Sequence, residues 1–107
     1  MQDHLIYMSL ADLYQSSKSR EWRNQVRDRQ AVIFKFLQDN ELSKIPLFDA
    51  TGNVPEDFEL RYSHLVEDGV KLFAKAVPAW QRARDRDGKL SNIYQLENGL
   101  KKIRADK

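Results

Sequence analysis

The chain of 107 residues carries 18 basic and 16 acidic side chains, has a net charge of +2 and contains no cysteine. This length fits one domain with one modest core, and the lack of cysteine excludes disulfides and the usual zinc sites and favours the cytoplasm. No apolar run approaches the ~20 residues of a membrane span, and the first residues lack the pattern of a secretory signal. We therefore expect a single cytoplasmic domain, residues 1–107, with no membrane partner.

The first half of the chain predicts two helices. A short helix should begin at Ser9, which can cap it, and should end near the serines at positions 16, 17 and 19, whose side chains offer competing hydrogen bonds. A longer helix over about 20–39 follows from apolar residues at helical spacing. Arg29 projects close to the centre of its apolar face, so this side chain must find a carboxylate or reach past the edge of the core.

The middle of the chain, residues 41–63, differs in character because Pro46, Gly52 and Pro55 interrupt any helix. The segments 45–48 and 58–62 are predicted as short strands of a hairpin that closes across a turn at 49–53. The expected fold class is therefore mostly α, with a small β-hairpin or extended segment in the middle.

The last third predicts a helix over about 65–86 and another over 92–104, each with one apolar face. Pro78 lacks the amide proton that would bond the carbonyl four residues earlier, so it should kink the first of these helices or start a new one. The chain is thus expected to contain four to five helices, with a stop at Gly88 between the last two.

Charge is distributed unevenly along the chain. Residues 1–38 hold six basic and four acidic side chains, residues 39–68 hold two and eight, and residues 69–107 hold ten and four. The middle is therefore strongly acidic and the C-terminal third strongly basic, which matters for the kind of partner that each region can attract.

No catalytic or metal-binding set of residues is recognisable. His4 and His64 have no partner at ligand spacing, and the four glycines form no phosphate-binding loop. The segment around Gly88 resembles a calcium loop, but Ala83 and Tyr94 occupy loop positions that need oxygen ligands from carboxylates. We therefore expect no enzyme, no metal and no cofactor, and we expect a surface or capping role for His64.

One part of the chain resembles a known family. The run from Leu60 to Gly69, continued by the Ala-Val-Pro-Ala-Trp sequence at 76–80, is similar to the segment that leaves the wing in MarR-type winged-helix regulators. Residues 36–42 are similar to the end of the recognition helix in these proteins. The resemblance implies a winged-helix-like arrangement in which the helix 20–40 contacts DNA through Arg20, Arg23 and Arg27.

The sequence departs from that family at several positions. Val66 stands where the family usually has Thr, and Asn40 stands where it usually has Gly. The segment in the position of the wing is acidic, although a wing that contacts phosphate should not be. The resemblance therefore favours a shape more than it favours DNA binding.

Two functional hypotheses follow. The first is a non-enzymatic protein-binding module that acts by occupying a partner protein, as small immunity proteins, antitoxins and adaptors do. The acidic segment would complement a basic partner surface, and its aromatic residues would anchor the contact, unless they simply cover the core. The expected contact residues are Asp49, Glu56, Asp57, Phe58, Glu59 and Tyr62.

The second hypothesis is a winged-helix-like regulator that binds nucleic acid through the basic face of the helix 20–40. A homodimer is compatible with either hypothesis, because the apolar face of the last helix could pack within one chain or between two chains. That face consists of Ile93, Leu96, Leu100 and Ile103.

Overall fold

A computed structural model describes residues 3–15 and 19–106 and confirms the mostly helical fold class with a small β element. Four α-helices lie in the described residues, and a two-stranded antiparallel sheet and one turn of 3-10 helix at Tyr62–His64 accompany them. The strands are β1 (Leu5–Tyr7) and β2 (Leu60–Arg61), and the helices are α1 (Leu10–Tyr14), α2 (Arg20–Asp39), α3 (Glu67–Asp87) and α4 (Tyr94–Ala105).

Serine side chains begin the first two helices, which confirms the predicted cap at Ser9. The hydroxyl of Ser9 accepts a hydrogen bond from the amide of Asp12 at 3.2 Å, and the hydroxyl of Ser19 accepts one from the amide of Trp22 at 3.3 Å. Each bond satisfies an amide that has no partner within its helix. The predicted contributions of Ser16 and Ser17 lie outside the described residues.

The sheet pairs the middle of the chain with its first residues. Leu5 lies opposite Arg61 and Tyr7 lies opposite Leu60, so the partner of β2 is β1 and not the predicted strand at 45–48. Residues 45–48 form no strand: Pro46 has no amide proton, and side chains accept from the amides on either side of it, from Ile45 to Ser43 Oγ at 3.3 Å and from Leu47 to Gln38 Oε1 at 3.0 Å.

The long helix α3 passes through Pro78 as one element, so no new helix begins there. Pro78 and Ala74 are both exposed, so water can satisfy the Ala74 carbonyl that the missing amide would have bonded. The predicted stop at Gly88 is confirmed. Gly88 has a positive φ of 66°, which glycine adopts without strain, and its amide donates to the Arg84 carbonyl at 2.7 Å.

One apolar core joins α2, α3, α4 and the middle of the chain. Its fully buried members include Ile33, Phe34, Leu37, Leu47, Leu60, Leu72, Trp80 and Leu96. Leu96, Leu100 and Ile103 of the face considered for a homodimer are buried within this chain, whereas Ile93 is half-buried and lines an open groove. The predicted fate of Arg29 is also confirmed: its guanidinium lies 2.8 Å from the Asp85 carboxylate and 2.8 Å from Gln81 Oε1, which ties α2 to α3.

Two contacts fix α4 against α3. The indole N–H of Trp80 donates to the Asn92 carbonyl at 2.8 Å, and the buried guanidinium of Arg84 donates to the same oxygen. Farther along α4, a Cβ built at Gly99 would lie 2.4 Å from the Cβ of Ala76. The two helices therefore approach at a point where only glycine fits.

We predict that Gly99→Ala lowers the free energy of unfolding by about 1–2 kcal/mol, because overpacking outweighs the gain in helix propensity. Chemical denaturation measures the change. Lys102→Ala, on the exposed side of the same helix, is the control and should stay within about 0.5 kcal/mol of wild type. Gly99→Ala should cost less in an Ala76→Gly background than in wild type, and equal costs in the two backgrounds would contradict the contact.

Candidate interaction surface

The predicted contact residue Asp49 serves the fold of its own loop. Its Oδ1 accepts hydrogen bonds from the amide of Thr51 at 2.9 Å, from the Thr51 hydroxyl at 2.5 Å and from the amide of Asn53 at 3.1 Å. These bonds, first of all that of the Thr51 hydroxyl, lower the pKa of Asp49 below its usual 3.8. The predicted turn at 49–53 is thereby confirmed, and Oδ1 of this carboxylate is fully engaged inside it.

Phe58 also has an internal role. Its ring packs edge-on against Phe34 of the core, with centroids 6.1 Å apart, and stacks on the imidazole of His64 at 5.3 Å. His64 Nδ1 in turn accepts a hydrogen bond from the amide of Arg61 at 3.0 Å, which confirms the predicted capping role. For Phe58, covering the core is therefore the better description than anchoring a partner.

The remaining acidic candidates face solvent. Glu56 and Asp57 are exposed in a turn, and the Glu56 carbonyl holds the start of α1 by accepting from the amide of Ala11 at 2.9 Å. Glu59 is half-buried and lies 3.2 Å from the guanidinium of Arg61, so much of its charge is balanced locally. Tyr62 is 46% exposed directly after β2.

Exposed apolar side chains also lie in or next to the two strands. Among the described residues, four large hydrophobic side chains are more than 40% exposed: Leu5, Met8, Tyr62 and Tyr94. Leu5 lies in β1, Met8 follows it, and Tyr62 follows β2 with its amide bonded to the His4 carbonyl at 2.8 Å. We define the sheet surface as Leu5, Met8 and Tyr62 together with the adjoining Glu56, Asp57 and Glu59.

The sheet surface is held together by Asp3. Its carboxylate accepts from the Ser63 amide at 2.9 Å and from the Ser63 hydroxyl at 2.7 Å, and the Asp3 carbonyl accepts from Arg61 at 2.9 Å. Sequence reasoning missed Asp3, Leu5 and Met8, because nothing in a local pattern shows that residues 3–8 meet residues 60–63. A short run of Leu-Ile-Tyr at 5–7 was the available signal for a strand.

The arginines of the nucleic-acid hypothesis are partly engaged within the chain. The Arg23 guanidinium lies over the Tyr14 ring, 5.2 Å from its centroid. Arg27 donates to Asn24 Oδ1 at 3.2 Å and lies 3.9 Å from the Asp28 carboxylate. Arg20 is exposed at the first position of α2. The segment in the position of the wing forms no hairpin of its own, since β2 pairs with β1.

Within the described residues no group of three or more His, Cys, Asp or Glu side chains is placed to hold a metal ion. The helices of the same residues include none with the length and apolar character needed to cross a bilayer.

Comparison of the chain with protein families, with curated proteins and with solved structures finds no match in any of the three.

The Asp3 contact predicts an acid-sensitive sheet. Hydrogen bonds from Ser63, first from its hydroxyl and then from its amide, lower the pKa of Asp3 below 3.8. A carboxyl with a lowered folded pKa stabilises the fold above its unfolded pKa, and this contribution disappears as the pH falls through the folded pKa. We therefore expect Asp3→Asn to remove part of the loss of melting temperature between pH 5 and pH 2, roughly the range in which aspartates titrate.

Thermal unfolding followed by circular dichroism across that pH range measures the effect. Asp106→Asn is the control, since Asp106 is another exposed aspartate and lies at the end of α4. If Asp3→Asn and Asp106→Asn show the same dependence on acid, the Asp3–Ser63 contact does not contribute to stability.

Proposed function

We propose that this chain is a non-enzymatic protein-binding module that acts by occupying a partner protein, and that the sheet surface makes the contact. One observation carries the proposal: three of the four most exposed large hydrophobic side chains of the described residues lie in or next to the two strands. Apolar side chains that stay exposed beside a polar rim are typical of interaction sites.

The charge around these side chains suggests the chemistry of the partner. Glu56 and Asp57 carry two exposed negative charges beside the sheet, and neither carboxylate takes part in a hydrogen bond or ion pair within the described residues. Glu59 adds less, because Arg61 balances it. A partner with a basic surface would pair with the two free carboxylates, which accelerates association and aligns the two proteins.

Tyr62 is the expected anchor. Tyrosine at the centre of an interface combines a large apolar ring with a hydroxyl that can bond at the rim, and such residues often dominate binding energy. Asp49 and Phe58 are no longer part of the proposed contact, since their side chains stabilise the loop and the core. The lack of cysteine supports a reducing compartment, so the partner is best sought among cytoplasmic proteins.

The test of the anchor compares two exposed tyrosines. Purified chain, fixed to a resin through its C-terminus, is used to capture proteins from a nuclease-treated cytoplasmic extract, and the captured protein is then titrated in purified form. We expect Tyr62→Ala to weaken binding by about 30-fold or more, the effect of losing a hot-spot aromatic side chain. Tyr94→Ala, which removes the 62% exposed tyrosine of α4, is the matched control and should bind as wild type does.

If the Tyr62→Ala and Tyr94→Ala variants bind the captured protein with equal affinity, the sheet surface does not contact that protein. Three results together would instead favour the nucleic-acid hypothesis. Binding would be lost on nuclease treatment, would fall steeply with added salt and would depend on Arg20 and Arg27.

The charge of the surface is tested separately. Asp57→Lys should slow association several-fold at low salt and leave the melting temperature unchanged, because the carboxylate is exposed and bonds to none of the described residues. Asp106→Lys makes the same change of charge at the end of α4 and is the control. Surface plasmon resonance at two ionic strengths measures the association rate of each variant. If the difference in rate between the two variants is as large at high salt as at low salt, the role of Asp57 is not electrostatic.

A further inference from the structure

A groove of about 720 Å³ lies between α2 and α4, away from the sheet surface. Its floor is apolar and consists of Val32 and Phe36 from α2, Leu90 and Ile93 from the turn before α4, and Leu100 from α4. This volume falls within the range of small-molecule sites, which is roughly 300–1,000 Å³.

The two ends of the groove differ in polarity. At one end, the Arg104 guanidinium donates to the Asn40 carbonyl at 3.0 Å, which brings the last turns of α2 and α4 together. At the other end lies Ile93, about 16 Å away along α4 at 1.5 Å per residue, with Leu90 of the preceding turn beside the same groove. The groove therefore runs from an apolar end to a polar end.

Among the ionisable side chains at the polar end, the positive ones are in excess by one. Lys35 and Asp39 neutralise each other through a salt bridge of 2.8 Å. Two positive side chains remain, Lys101 and Arg104, and one negative side chain, Glu97. Glu97 lies one turn closer to the apolar end. Within residues 3–15 and 19–106 the Lys101 ammonium makes no hydrogen bond or ion pair, and Arg104 uses only part of its guanidinium in the bond to Asn40.

From this polarity we infer that the groove binds a small anionic amphiphile, a molecule with an apolar chain or ring system that ends in one carboxylate. The apolar part lies on the floor and leaves contact with water, and the carboxylate accepts hydrogen bonds from Lys101 and Arg104. A neutral molecule would gain no ion pair with Lys101 or Arg104, and a cationic one would be repelled.

The experiment uses decanoate as the probe, with decanol and decyltrimethylammonium as neutral and cationic controls of the same chain length, all below the concentrations at which they form micelles. Isothermal titration calorimetry should show binding of decanoate at least about tenfold tighter than binding of either control, as expected when one charged contact is gained. Amide chemical shifts from NMR should change at Val32, Phe36 and Ile93.

Two neighbouring lysines provide matched variants. Lys101→Glu should weaken decanoate binding about five- to tenfold, through loss of one partly exposed ion pair and gain of a repulsion. Lys102→Glu makes the same change of charge one residue farther along α4, where the side chain lines a different depression with Lys75 and Tyr94. It should change the affinity by less than about twofold, because salt screens a charge that makes no direct contact with decanoate. Tyr62→Ala should bind decanoate as wild type does, which separates this site from the sheet surface.

Three results would overturn the inference: no binding of decanoate, equal affinity for all three probes, or equal losses in the Lys101→Glu and Lys102→Glu variants. Sedimentation that shows a dimer dissociated by Lys101→Glu would identify a second copy as the occupant instead. Preferential binding of an acidic amphipathic helical peptide over decanoate would identify a protein partner there, and would likewise contradict a small ligand.

Discussion

The packing of α4 onto α3 depends on Gly99, which has no side chain. A Cβ at Gly99 would meet the Cβ of Ala76 at 2.4 Å, so the two helices can lie this close only with glycine at that position. The same approach lets Trp80 and Arg84 reach one carbonyl, that of Asn92, and thereby fixes the turn before α4. Because α4 forms one wall of the apolar groove, this contact between two small residues also sets the shape of the groove.

Charge in this protein is used in two different ways. Some ionic and polar groups stabilise the fold: Arg29 joins α2 to α3 through Asp85, and Asp49 closes its own turn. Others, such as Glu56, Asp57 and Lys101, remain exposed without an internal partner in the described residues. A count of acidic and basic residues cannot distinguish the two groups, because the distinction depends on which side chains the fold brings within hydrogen-bonding distance.

The helices could be predicted because their signals are local. The cap at Ser9, the apolar face of α2, the position of Arg29 and the stop at Gly88 each depend on residues within a few positions of one another. The pairing of β1 with β2 could not be predicted in this way, since it joins segments at opposite ends of the first 61 residues. For the same reason Leu5 and Met8 were missing from the predicted contact residues, whereas Tyr62 and the exposed acids of the turn were included. The groove was missed because its walls come from α2 and α4, which no local pattern brings together.

The long reach of the sheet has a consequence for the order of folding. Asp3 and Ser63 lie 60 positions apart, whereas Trp80 and Asn92 lie 12 apart, so closing the first contact costs more chain entropy than closing the second. We therefore expect the hairpin of α3 and α4 to form early and β1 to dock late onto it. Since β1 is short and half-exposed, it is also among the segments that open most readily to hydrogen exchange, and a protein bound to it would slow that opening.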